Sequence, residues 1–311
     1  MSTQSEPGDA RLDPSLSAIM SERRQLINLA YRLLGSLSDA EDVVQETYAR
    51  WYAMSRQRQE AIESPGAWLM KVASRICLDQ LGSARARRER YVGEWIPEPL
   101  PDRTEWISGR SGGSSVDPAD RVTLDESINM AFLVVLESMT PAERVAFILH
   151  DVFGYSFDEV AEIVGRTPAA CRQLASSARR RIRGSQAPAT STAQQADIVR
   201  NFKQAWEAND IDALIGLLDP DATAIGDSGG LVAAELRPIE GGEQIARAVI
   251  DIAGRAPNLT ILERTVNGQP GLVAQQDGVT VTVIAFDIAG ERIKHIWAVR
   301  NPEKLRPWTT G

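Results

Sequence analysis

Residues 140–183 read TPAERVAFILHDVFGYSFDEVAEIVGRTPAACRQLASSARRRIR. Thr140 and Glu143 have the spacing of a capping box, with Pro141 at the first helical position, where its missing N–H costs nothing. Ser156 and Glu159 repeat the box. Gly165 then closes a short helix, and Thr167-Pro168 opens the next. The pattern predicts a helix, a turn, a short helix, a glycine turn and a basic helix, which is the order of a helix-turn-helix unit. No Asp or Glu lies between Glu162 and Asp197, whereas Arg166, Arg172, Arg179, Arg180, Arg181 and Arg183 do. Such a unit lays its second helix in the major groove, with N-terminal residues at the base edges. For a helix starting at Pro168, the helical spacing sets Arg172, Gln173 and Ser176 on adjoining outward positions. Arg and Gln can bond guanine and adenine bidentately. Arg179, Arg180 and Arg183 are placed for phosphates, which give affinity without sequence readout. A basic run alone is as well explained by a solvated helix face. Two capping boxes, a glycine turn and an acid-free helix in register favour DNA.

The residues preceding this unit divide in two. Residues 16–91 predict further helices. Leu26, Leu29, Ala30, Leu33 and Leu34 form an apolar helical stripe that Gly35 ends. Ser38 with Glu41 predicts a capping box for the next helix, and Ser64-Pro65 opens a third with Trp68, Leu69, Val72, Ile76 and Leu81 on it. Arg85, Arg87, Arg88 and Arg90 make a second basic run. Residues 93–120 are rich in Pro, Gly and Ser and predict a flexible linker. Its first part, Trp95-Ile96-Pro97-Glu98-Pro99-Leu100, is apolar enough to dock on a neighbouring domain. After residue 184 a short polar segment leads into a third block. That block predicts an amphipathic helix around Ile198, Phe202 and Trp206, and a second helix over 211–218. Strands are predicted over 259–266, 272–276, 279–287 and 292–300, with hairpin turns at Asn267-Gly268 and Asp277-Gly278. Helices on one side of a curled antiparallel sheet are the expected architecture.

Composition bounds the rest. A chain of 311 residues with 43% hydrophobic and 24% charged residues is ordinary globular protein with room for two or three domains. The net charge of −8 is not that of a uniformly basic nucleic-acid binder, but the charge is segregated into local basic stripes. Polar residues 1–14 predict a disordered start without a signal peptide, and the apolar runs are too short to span a bilayer. A cytoplasmic protein without membrane contact is expected. Cys77 and Cys171 lack metal-ligand spacing and predict reduced, structural thiols. His150 and His295 are the only histidines, so no histidine-rich metal site is expected, and no cofactor is implied.

These residues carry a family resemblance. SDAEDVVQETYARWY (38–52), SPGAWLMKVASRICLDQL (64–81) and residues 124–183 resemble the two domains of extracytoplasmic-function RNA polymerase sigma factors, in family order. The resemblance implies domain 2 over 15–92, a linker over 93–121 and domain 4 over 122–184. It implies that Asp39, Glu41, Asp42, Gln45 and Glu46 meet the clamp coiled coil of the polymerase β′ subunit, an acidic face suited to a basic partner. Domain 4 would meet the β flap. Ser64, Trp68, Lys71 and Arg75 would meet the −10 element, with the loop 61–66 capturing an unpaired base. Lys71 and Arg75 lie one helical turn apart and so share a face. Trp68 is also a natural core residue beside Leu69. Thr167, Arg172, Gln173, Ser176, Ser177, Arg179 and Arg180 would meet the −35 element.

Residues 196–311, beyond a second linker over 185–195, resemble the SnoaL-like branch of the α+β NTF2-like cone fold, as found in sigma factors of the sigma J type. Three motifs of that subset have counterparts here. WLPEPL reads WIPEPL (Trp95, Pro97, Glu98, Leu100). DGGGR reads DSGGL (Asp227, Gly229, Gly230), with Leu231 in place of the arginine. NPDKL reads NPEKL (Asn301, Pro302, Lys304, Leu305). The resemblance implies intramolecular contacts between the sigma domains and this domain, which stands in for a separate anti-sigma protein and has no catalytic role. A small-molecule ligand of unspecified kind and an Asp227–His295 acid–base pair remain open. Two other readings stand beside this one. One is a ligand-responsive helix-turn-helix repressor, which has no need of an acidic helix followed by a −10-type helix. The other is a SnoaL-like enzyme fused to a DNA-binding module.

Overall fold

The structure, a computed structural model, describes residues 14–88, 91–101, 128–185, 190–231, 237–256 and 258–309. The expected disordered start, most of the first linker and the middle of the second lie outside these residues, as do the side chains of the basic run at 85–90.

The N-terminal block is four helices: α1 (Pro14–Leu34), α2 (Leu37–Tyr52), α3 (Arg56–Glu60) and α4 (Pro65–Arg88). Gly35 ends α1 as expected, but the cap of α2 is Ser36 and not Ser38. Ser36 is the residue in extended conformation, and its side chain accepts from the Asp39 N–H. Ser38 lies inside the first turn. The next free N–H of that turn, on Leu37, is satisfied from far away: the Glu98 Oε2 accepts it at 2.8 Å. The short α3 was not legible, being polar throughout.

The second block is α5 (Met130–Glu137), α6 (Pro141–Phe147), α7 (Phe157–Val164) and α8 (Pro168–Ser185). Both capping boxes form, and Gly165 closes α7 in the left-handed conformation. A π-helical turn (Ile148–Val152) follows α6 and turns Asp151 inward, where it is buried. The two helical blocks share one apolar core that runs from Leu26 and Val43 through Leu69 and Ile76 to Leu133, Phe147, Val160 and Ile182. Each fully buried Leu, Ile or Phe contributes about 1.5–3 kcal/mol relative to exposure.

The third block holds α9 (Thr192–Glu207), α10 (Ile211–Leu217), α11 (Gly242–Arg255) and a sheet of six strands: β1 (Leu218–Asp227), β2 (Ile239–Glu240), β3 (Leu259–Val266), β4 (Gln269–Gln276), β5 (Val279–Ala289) and β6 (Arg292–Val299). The strand order is β2-β1-β6-β5-β4-β3. The sheet is mixed and not purely antiparallel, because β1 runs parallel to β6. The sequence of β1, LDPDATAIGD, hides it: a proline, three aspartates and a register shift between Leu218 and Thr223 break the alternation that marks a strand. One sheet face packs on α9, α10 and α11 through Phe202, Trp206, Leu214, Ile245, Phe286 and Ile296. The other face, with Val273, Val283, Ala285, Trp297 and Val299, packs on Met130 of α5, on Ile96 of the linker and on Leu305 of the tail. The third block is therefore docked against the helical blocks through its sheet.

Candidate nucleic-acid interface and the seam beside it

On α8, Arg172, Gln173, Ser176 and Arg180 are exposed, so the outward face read from the sequence is on the surface. The Arg172 guanidinium leans over the Phe157 ring at 5.1 Å. The other three expected −35 residues have internal partners. Thr167 Oγ1 accepts the Ala170 N–H and caps the helix. Ser177 donates to Glu143 at 2.8 Å. Arg179 donates to both oxygens of buried Asp151, at 2.5 and 3.2 Å. Ser177 and Arg179 thereby tie α8 to α6 and the π turn. No local signal marks the π turn that aims a carboxylate there.

The −10 residues are similarly divided. Ser64 is exposed and its hydroxyl faces the Ala67 N–H at 3.4 Å, at the start of α4. Trp68 packs edge-on against Trp51, with ring centroids 5.3 Å apart, and belongs to the core margin, not to a free stacking platform. Lys71 and Arg75 do share one face, and that face meets α7: Lys71 pairs with the Glu162 carboxylate, and Arg75 donates to the Glu162 carbonyl at 2.8 Å. Arg144 of α6 ties the same two blocks from inside. It is buried and donates to the Leu33 carbonyl at the end of α1 and to Glu137, each at 2.8 Å. Burial lowers its pKa to about 9. On α2, by contrast, Glu41, Asp42, Gln45 and Glu46 are exposed, and Asp39 is half-buried. Among the described residues Glu46 pairs with Arg50 of its own helix.

The motifs of the linker, the third block and the tail converge. Asp227 is fully buried at the end of β1. Its Oδ1 accepts from Tyr91 Oη at 2.6 Å and from the Gly229 N–H at 3.1 Å. Its Oδ2 accepts from the Ile96 N–H at 2.9 Å and from Lys304 Nζ at 2.6 Å. Lys304 also donates to the Ile96 carbonyl and lies 4.1 Å from the centre of the Trp95 ring. Asn301 donates to Tyr91 Oη at 2.7 Å. Gly229 and Gly230 take φ of +61° and +71°, and a Cβ on either would lie under 3 Å from Asn301 or Val92. Both the backbone conformation and the close approach therefore require glycine. Leu231, where the resembling motif has arginine, is exposed. Pro302 is exposed and Leu305 is buried in the docked face.

A residue that the sequence marked only as a hairpin turn proves central. Asn267 is fully buried. Its amide donates to Tyr31 Oη on α1 (2.8 Å) and to the Ile128 carbonyl before α5 (2.9 Å), and it accepts from the Leu100 N–H (2.9 Å). Tyr31 in turn donates to the Glu98 carbonyl at 2.7 Å. One turn thus joins both helical blocks and the linker. Burial pushes the Glu98 carboxyl up to about 7; the Leu37 N–H and Lys304 oppose this, while Asp39 and Glu41 reinforce it. A cavity of about 590 Å³ opens beside this seam between the first turn of α2, the linker and the tail.

His295 and Asp227 are not a pair. His295 Nδ1 meets Thr223 Oγ1 at 2.7 Å, and its Nε2 lies 4.0 Å from Asp287, while Asp227 is committed to Lys304. Cys77 and Cys171 are both free thiols and both buried. Among the described residues no helix is long and apolar enough to cross a membrane.

Residues 18–87 match the family model for sigma-70 region 2, and residues 129–182 match that for sigma-70 region 4. Two helical domains with these matches, in this order, define an initiation factor of the sigma-70 class. The whole chain narrows this further. It is 36% identical to the ECF RNA polymerase sigma factor SigJ of Mycobacterium tuberculosis over 91% of this chain and 90% of that protein. It is 35% identical to the probable ECF RNA polymerase sigma factor SigI of the same species, over 95% and 96%. The crystal structure of M. tuberculosis SigJ superposes with a TM-score of 0.72 at 32% identity, covering 94% of this chain and 98% of that one. The chain belongs to the extracytoplasmic-function RNA polymerase sigma factors, with a C-terminal α+β domain, and it directs transcription initiation. The repressor and fused-enzyme readings are not favoured.

Proposed function

We propose that the C-terminal domain modulates this sigma factor in cis, by holding the two sigma domains and the linker in one closed arrangement. The observation that carries this is the convergence of WIPEPL, DSGGL and NPEKL on buried Asp227, beside the Asn267 junction. In this reading Asp39, Glu41, Asp42, Gln45 and Glu46 dock on the β′ clamp coiled coil, and domain 4 meets the β flap. Lys71 and Arg75 serve the −10 element, while Arg172, Gln173, Ser176 and Arg180 serve the −35 element. The C-terminal domain contributes packing and regulation, not catalysis, and the protein works in the cytoplasm.

The test is transcription in vitro with purified bacterial core polymerase on a library of promoter fragments, using the full chain beside a version truncated after Gly184. Specific transcripts that depend on the added chain, at levels that differ between the two forms, are expected. Equal output from both forms would remove the regulatory role. The variant Trp95→Ala, Leu100→Ala should change output while leaving −35 DNA binding intact.

A further inference from the structure

The arginines of α8 are held in different ways. Arg179 gives its donors to buried Asp151. Arg172 and Arg180 are both exposed, and among the described residues neither makes an ion pair. Of these two, Arg172 lies over an aromatic ring, with its guanidinium carbon 5.1 Å from the centre of Phe157. Phe157 is not on α8. It is the first residue of α7, set there by the Ser156 cap, and it is half-buried against the apolar core. Its ring stacks on the His150 imidazole, with centroids 3.9 Å apart and planes 24° from parallel. His150 is fixed in turn. Its Nδ1 lies 2.7 Å from the Tyr155 carbonyl oxygen, which can only accept, so Nδ1 carries the hydrogen and donates it. The π turn, the capped start of α7 and the two rings thus form a shelf for Arg172 that is built entirely outside α8.

We propose that Phe157, backed by His150, is a positioning residue for −35 recognition: it holds Arg172 ready for the major-groove edge of a guanine and so sets the base preference at that position. This rests on the −35 role proposed above for α8. An aromatic ring attracts a guanidinium through its quadrupole. It leaves the planar fork of N–H donors available, and that fork is what matches guanine O6 and N7. A carboxylate in the same place would occupy the fork, as Asp151 does for Arg179. A long side chain that is already held also loses less rotamer freedom when it meets the base. Arg180 has no such shelf among the described residues and suits a phosphate, where the direction of approach matters less.

The experiment assembles the full chain with core polymerase and offers a pool of random-sequence duplex DNA. Bound duplexes are sequenced, and the base preference is read position by position. Arg172→Ala identifies the guanine that Arg172 reads, as the position where the preference disappears. Phe157→Leu keeps the apolar contact with the core and removes the ring. It should lower the preference at that same guanine by about two- to fivefold, the equivalent of an exposed cation–π contact. The other positions should keep their preferences, and the total DNA retained should stay within about twofold, because the phosphate contacts are untouched. Phe157→Tyr restores a ring and should read like the parent. An unchanged preference in Phe157→Leu, or an equal loss at every position, would overturn the shelf while leaving the −35 role of Arg172 in place. A guanine preference that survives Arg172→Ala, or a parent with no preference at all, would instead overturn that role and the shelf with it.

Discussion

The two seams of this molecule are built from opposite materials. Where the linker meets the C-terminal domain, the joint is a set of buried, matched polar groups: Asp227 with Lys304, Tyr91 and two backbone N–H groups, and Asn267 with Tyr31, Leu100 and Ile128. Where the two sigma domains meet, the joint is an apolar core with Arg144 inside it and an ionic rim of Lys71, Arg75 and Glu162. Buried polar groups cost heavily when left without partners, so the first seam tolerates one geometry. The second can exchange its rim cations for phosphate and its apolar surface for another protein.

Breaking the linker seam should give the largest effect. Lys304→Met leaves the Asp227 carboxylate buried without its cation, and removal of one partner of such a pair costs about 3–5 kcal/mol. A drop of that size in the urea stability of the docked state, followed by Trp fluorescence, is expected. Asn267→Asp keeps a residue suited to the hairpin turn but removes both amide donors. The loss should be about 2–6 kcal/mol, since each unsatisfied buried partner costs about 1–3 kcal/mol. The same substitution at Asn258 (exposed, before β3) should be silent.

The pH response sharpens the contrast. Closure holds the Glu98 carboxyl near 7, and opening returns it to the ordinary range near 4.3. The closed form therefore binds the proton more tightly. Its stabilisation is complete below the ordinary carboxylate range and is lost as pH rises through about 7. Docking should loosen between pH 5 and pH 8, as read by linker proteolysis, by an order of 1–3 kcal/mol. Glu98→Gln should flatten this dependence. The smallest effect should come from salt: raising ionic strength toward 1 M should weaken the exposed α4–α7 rim slightly and leave the Asp227 cluster unmoved.

How much of this was legible follows from the range of each signal. The boxes at Thr140 and Ser156, the stop at Gly165 and the turns at Asn267 and Asp277 are local, and the chain adopts all of them. The apolar WIPEPL stretch gave away that it docks. Long-range pairings left no such trace. The Glu98 cap on Leu37 spans distant segments, and Ser38 imitated the cap that Ser36 provides. The resemblance set Ser177 and Arg179 among the −35 residues, and no local signal showed the carboxylates that pair with them, which come from other elements. Asn267 announced its turn, but not that its amide would point across three segments. The parallel strand β1 was hidden by its own aspartates and proline.

The most direct test of the two-seam account is residue-resolved hydrogen exchange on the full chain, alone and with core polymerase and promoter DNA. The N–H groups of Ile96, Leu100 and Asn267 report the linker seam, because Asp227, Asn267 and Leu100 hold them. The surface of α7 around Glu162 reports the sigma-domain seam. The account predicts that polymerase and DNA release the α7 surface while those three amides stay protected. Loss of protection at Ile96, Leu100 and Asn267 before or together with α7 would contradict it.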